Sequence, residues 1–274
     1  MRSAITVSLV PQARGGPFVF WDNLATACEA ASTLGFDAIE IFPPSAEAID
    51  FAAVRELLTR HSLKVAAIGT GAGWVVNKWH LCHADPSVRE QARIFIAQIV
   101  KAAGELDAPA IIGSMQGRSE GEVSREQALA WLRPALEALA QDADRYRQPL
   151  LFEPLNRYET NLFNRIGDVA DFIDTLAAKN VKILADLYHM NIEEASMPAA
   201  LRAAARHVGH VHFADSNRYA VGRGHTDIEP VIAALREIGY DGYLSAEILP
   251  LPDSHAAARQ TIESFRKFTS LAHA

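Results

Sequence analysis

What most constrains this chain is a regular alternation of short apolar, β-rich runs with longer stretches of helical periodicity, repeated eight times. The runs are residues 4–10 (AITVSLV), 36–42 (FDAIEIF), 63–69 (LKVAAIG), 108–114 (APAIIGS), the start of 150–157 (LLFEPLNR), 181–186 (VKILAD), 209–215 (GHVHFAD) and 242–248 (GYLSAEI). Between and after them, helical spacing of apolar residues predicts helices over 21–34, 51–61, 86–106, 124–146, 166–178, 192–206, 228–238 and 254–271. The punctuation agrees. Gly35 suits a helix C-cap, Pro43 and Pro44 stop the second strand, Asp85–Pro86 form a cap followed by a first-turn proline, and Pro198 interrupts the sixth helix early. Runs that are apolar throughout suit strands buried on both faces. Strand–helix alternation implies parallel strands joined by helical crossovers. Eight such units in 274 residues predict one (β/α)8 TIM barrel, a single domain spanning residues 1–274. An open doubly wound sheet would want a glycine-rich phosphate loop after the first strand, and VPQARGGP is not one.

A barrel of this kind carries its chemistry at the C-terminal ends of its strands. The fifth run ends on Glu153, before a proline that cannot extend a ladder. The sixth ends on Asp186, the seventh carries His210 and His212, and the eighth ends on Glu247. A carboxylate closing an apolar strand is costly to bury unless something pairs with its charge. Any one of these could be a strand-end cap or an ion-pair partner, but four at one end of four successive strands point to a metal site. Glu153, Asp186, His212 and Glu247 form an oxygen-rich set that suits Mn²⁺, Mg²⁺ or Co²⁺ better than a closed tetrahedral zinc site. His210 shares a strand face with His212 and is either a ligand or a supporting residue; His212, nearer the mouth, is preferred.

Composition narrows the partners. The net charge is −7, and no Lys/Arg run exceeds a pair, which argues against a nucleic-acid partner. Two cysteines, Cys28 and Cys82, are too few for a disulfide framework and fit a reducing cytoplasm. The opening MRSAITVSLVPQ lacks the apolar core of a signal peptide, and no run approaches membrane-spanning length. A soluble, cytoplasmic protein with neither nucleic-acid nor membrane partner is expected.

The runs EPLNRYE, DLYHMNIEE and GHVHFADSNR, with the AE of the last strand, resemble the sugar isomerase/epimerase superfamily with a xylose-isomerase-like barrel. Within it they are most similar to the ketose 3-epimerases, which act on D-tagatose and D-psicose. The likeness is clear over residues 150–248; before that it is confined to element order and the HADPSVREQA helix start. It implies that Glu153, Asp186, His212 and Glu247 hold Mn²⁺ or a similar ion. It also implies that the two glutamates, as catalytic acid and base, exchange protons with a small sugar substrate from opposite faces. Chemically this is coherent, because an ion on the carbonyl and hydroxyl oxygens stabilises the enediolate left by proton loss. By the same motifs Glu159, His189 and Arg218 would grip the substrate's first oxygens. Unaided, His189 could instead cap the following helix, and Arg218 could pair with Asp215. Hydroxypyruvate isomerases of the superfamily differ in placing Gln where His212 stands. The chain has Asp215–Ser216 where the 3-epimerases have Glu–Cys, and its GRGHTD segment (222–227) is general to the superfamily. The resemblance further implies a homodimer or homotetramer. Alternatives on this fold are an aldose–ketose or keto-sugar isomerase, an inosose-type dehydratase, and an endonuclease-IV-like phosphodiesterase. The last would need more ligands and a basic groove.

Two further patterns are discounted. GTGAG (69–73) lacks dinucleotide-loop spacing and reads as a loop at the barrel mouth. His80, Cys82 and His83 have no second ligand pair at zinc-finger spacing and read as part of a loop over the site, with Trp74 and Trp79 shielding it.

Overall fold

A computed structural model describes residues 1–270, so the end of the last predicted helix, residue 271, lies outside the described residues. Eight parallel strands form the centre: β1 (Arg2–Ser8), β2 (Ala38–Phe42), β3 (Lys64–Gly69), β4 (Ala110–Ile112), β5 (Leu150–Phe152), β6 (Val181–Asp186), β7 (Val208–His212) and β8 (Tyr243–Ala246). Each pairs with the next, and β8 returns to β1, with Arg2 opposite Tyr243 and Ile5 opposite Ala246. The sheet is therefore a closed barrel, as expected. A two-residue strand, Phe20–Trp21, lies beside the end of β1.

The period of two along each strand decides what goes where. Outward residues such as Ile5, Val7, Ile39, Ile41 and Ile68 join the core shared with the helices. Inward residues fill the barrel in layers, with Ala4, Ala38 and Ala66 at one level and Ala67, Ile111, Leu151 and Leu184 at another. The helices, among them α2 (Phe51–His61), α4 (Pro86–Gly104) and α6 (Ile166–Asp174), bury one stripe each. In α5 (Arg125–Asp144) that stripe is Ala128, Leu132, Leu136, Leu139, Ala140 and Ala143, and each fully buried Leu contributes on the order of 2 kcal/mol.

Differences from the sequence reading have local causes. The first helix, α1 (Leu24–Leu34), starts three residues late because Asn23 caps it, accepting from the Thr26 N–H at 3.1 Å, and it ends at Gly35 with φ 83°. A short helix, α3 (Ala72–Asn77), forms in the glycine-rich stretch read as loop. The 166–178 helix ends early, at Asp174. The sixth helical segment is two helices, α7 (Leu187–Glu193) and α8 (Met197–Ala203), because Ser196 caps the second and Pro198 sits in its first turn. Among the described residues no helix is long and apolar enough to cross a membrane.

Candidate metal centre

Strand endings place the four predicted ligands. β5 stops at Phe152, so Glu153 is the first residue beyond it, still tied by its N–H to the Ile112 carbonyl at 3.0 Å. Asp186 closes β6 and also caps α7, accepting from the N–H groups of Tyr188 at 2.7 Å and His189 at 3.4 Å. A register shift beside Gly209 sets His210 opposite Leu184 and His212 opposite Asp186. Glu247 follows β8 directly.

All four are buried, and one donor atom of each lies within 4.8 Å of the others. His212 Nδ1 is their centre, 3.2 Å from Asp186 Oδ2, 3.6 Å from Glu153 Oε1 and 3.7 Å from Glu247 Oε2. Burial pushes the Glu247 carboxyl up to about 7, against the pull of Arg218 and His212. For Asp186 burial acts in the same sense, but His189, His212 and Arg218 overcome it and hold the carboxyl well below the usual range. His212 is raised well above an ordinary histidine, since the carboxylates of Glu40 and Glu247 outweigh its burial.

These residues fit a divalent cation. Glu153 Oε1 is buried with no hydrogen-bond partner, in a cluster already holding two more carboxylates and an imidazole. Such an acceptor is expensive to leave unmatched, and a hard cation satisfies it.

The three predicted substrate contacts surround the cluster. His189 Nδ1 accepts from the Asn156 N–H at 3.2 Å, which leaves the ring proton on Nε2. That Nε2 is buried and unpartnered, 3.8 Å from Glu153 Oε1, and faces the site; it does not cap a helix. Arg218 contacts the Glu247 carboxylate and lies 3.8 Å from both Asp186 Oδ2 and Glu159 Oε1. It does not pair with Asp215, whose carboxylate instead accepts from the N–H groups of Ser216, Gly222, Gly224 and Thr226 and so clasps the loop that carries Arg218. Glu159 is the most exposed of the three and is held by Asn156 Nδ2 at 3.0 Å.

A cavity of 340 Å³ opens above the cluster, walled by Val10, Phe18, Phe42, Trp74 and Val75 opposite the polar side. A larger cavity, 950 Å³, lies at the other end of the barrel between Arg2, Lys64, His210 and Tyr243, away from the carboxylates.

Residues 28–268 match the family described as the xylose isomerase-like TIM barrel. The chain belongs to that family. Over 228 residues it is 30% identical to the D-psicose 3-epimerase of Ruminiclostridium cellulolyticum, covering 80% of this chain and 76% of that one. Over 113 residues it is 39% identical to the 3-dehydro-D-guloside 4-epimerase of Escherichia coli, covering 41% of this chain and 43% of that one. Its backbone superposes with TM-score 0.81 on the D-allulose 3-epimerase of Methylomonas sp. in complex with D-allulose, at 24% identity and covering 97% of each chain. As its relatives are, this member of the xylose isomerase-like family is an enzyme of the isomerase class.

Sequence reading missed several residues of this family member's site. Glu40 of β2 bridges His210 and His212; a lone carboxylate within the apolar run AIEIF was the signal, since it needs buried partners. Gln116 donates from Nε2 to the Glu153 carbonyl at 2.8 Å, and Asn156 orients His189. Phe18 lies on an N-terminal loop that no motif marks. Trp74 borders the cavity as expected, whereas Trp79 packs edge-on to Phe95 with ring centroids 6.0 Å apart. His80 stacks edge-on to Trp74 and His83, and the buried Cys82 thiol donates to the Ala128 carbonyl; no metal cluster forms there among the described residues.

Proposed function

We propose that this chain is a metal-dependent epimerase of keto-sugars, inverting the carbon next to the carbonyl, C3 of a ketose, with Glu153 and Glu247 as the acid–base pair. The observation that carries this reading is their placement. They stand at the two ends of the β5–β8 arc and border one cavity, as a pair that exchanges protons with opposite faces of one substrate requires. Glu153, Asp186, His212 and Glu247 would hold the ion, Mn²⁺ in this reading. When bound, such an ion stabilises the negative charge that develops on the sugar oxygens as the proton leaves.

The chain's own residues do the rest. One glutamate removes the proton α to the carbonyl and the other returns one to the opposite face. The His189 Nε2–H donates to a substrate oxygen, and Arg218 and Glu159 fix its neighbours. Phe18, Trp74 and Val75 keep water from the carbanion. The two buried, unpaired cysteines support a reducing, cytoplasmic setting.

A second reading, 4-epimerisation of a 3-keto-glycoside, is favoured by the 39% identity over 113 residues to the E. coli 4-epimerase. It uses the same α-proton exchange at a different carbon. The test is Mn²⁺-loaded protein in D₂O with free ketoses and 3-keto-glycosides, followed by NMR. Deuterium at C3 with the C3-inverted ketose supports the first reading, and label at C4 of a glycoside supports the second. Label at C1 with aldose formed, or loss of water without exchange, overturns both in favour of an isomerase or a dehydratase.

A further inference from the structure

Glu40 belongs to β2, yet its carboxylate meets β7 across the barrel interior. Alternation along AIEIF sends Ile39 and Ile41 out to the helices and Glu40 inward, where it is fully buried. Its two oxygens are divided between two rings, with Oε2 2.7 Å from His210 Nε2 and Oε1 3.0 Å from His212 Nε2. An ionised carboxylate only accepts hydrogen bonds, so each ring must present an Nε2–H to it. His212 is left with Nδ1 facing Asp186, Glu153 and Glu247.

We propose that Glu40 is a positioning residue of the metal centre. It fixes both the orientation and the tautomer of His212, so that the Nδ1 lone pair is presented to the cation, and His210 anchors the second Glu40 oxygen so that the carboxylate cannot rotate away. Glu40 touches neither substrate nor ion. Outer partners of this kind raise the basicity of a ligand histidine and hold its ring. The inference rests on the metal reading of the Glu153–Asp186–His212–Glu247 cluster and extends it to a residue more than a hundred positions earlier in the chain.

The test is Mn²⁺ binding, read from the free-ion EPR signal, in the wild-type protein and in Glu40→Gln. The amide keeps the shape but has one acceptor oxygen for two rings, so Mn²⁺ affinity should fall about 10- to 100-fold. Turnover should fall with it, KM for the sugar should stay near its wild-type value, and Glu40→Asp should recover part of the loss. Equal Mn²⁺ affinity in wild type and Glu40→Gln overturns the proposal and leaves the metal reading standing. A wild-type protein that binds no divalent ion overturns both. Should Glu40→Gln not fold, the wild-type protein loaded with diamagnetic Mg²⁺ or Zn²⁺ decides through long-range ¹⁵N–¹H spectra of its imidazoles. A proton on His212 Nε2 and none on Nδ1 supports the assignment, and the reverse tautomer overturns it.

Discussion

The space that the Glu153 carboxylate occupies exists because residue 113 has no side chain: a Cβ placed on Gly113 would fall 2.4 Å from Glu153 Oε2. We predict that Gly113→Ala displaces the carboxylate while sparing the fold, since what it meets is the end of a side chain. Misplacing a reacting group by about 1 Å can cost about a hundredfold in rate. The turnover number should therefore drop one to two orders of magnitude with little change in thermal midpoint. Unchanged turnover would count against Glu153 as acid or base.

Asp215 and Arg218 are linked through the backbone. Four N–H groups converge on the Asp215 carboxylate and shape the loop from which Arg218, at φ 60°, reaches Glu247. Replacing Asp215 by Asn turns one acceptor oxygen into a donor and should loosen that loop. The prediction is a KM for the sugar raised about tenfold, with Mn²⁺ affinity within about twofold of wild type, each lost charge-assisted bond being worth about 1.5 kcal/mol or more. Steady-state kinetics beside an Mn²⁺ titration checks it. A KM left where it was would mean that Arg218 does not hold substrate.

Removing divalent ions should destabilise the protein, because three carboxylates then share one pocket without a counter-charge beyond Arg218 and the histidines. Adding Mn²⁺ at a hundred times its Kd should stabilise the fold by about 2.7 kcal/mol. Thermal melts with chelator and with graded Mn²⁺ read this directly, and a midpoint indifferent to the ion would contradict the candidate site.

Without metal, Glu247 gives a pH signature. Its carboxyl is raised from 4.5 to about 7 in the folded state. The unfolded chain therefore releases this proton first, so the contribution to stability is full below about 4.5 and is lost as the pH rises through about 7. Glu247→Gln cannot titrate. Its stability relative to wild type should increase by about 3 kcal/mol from pH 4.5 to above 7, measured by denaturant unfolding in chelator. A difference that is flat with pH would show that Glu247 is not raised.

Much of this was legible in the sequence because charge at the end of an apolar strand is costly, and Glu153, Asp186 and Glu247 stand out for that reason. The barrel followed from eight repeats of one local pattern. What could not be read depended on partners far away in the chain. Glu40 makes sense only once β2 and β7 face each other across the interior, and the commitment of Asp215 to backbone amides required the loop to be closed. α3 was hidden because GTGAGWVV carries glycines that score against a helix, while tertiary contacts override that weak preference; Gly73, for example, packs directly under Met115. The break between α7 and α8 needed cap geometry that spacing alone does not give.

The four candidate ligands come from residues 153 to 247, whereas the apolar wall facing them comes from residues 10 to 75. The candidate ligands and the polar residues beside them, Glu159, His189 and Arg218, thus belong to the second half of the chain, and the apolar wall to the first. The loops of the first half can drift, lengthen or be grafted from a relative to suit a new sugar while the proton-handling machinery stays as it is. Glu40 is the thread between the halves, and a graft that dropped it would change the shape of the cavity at the expense of the centre beneath.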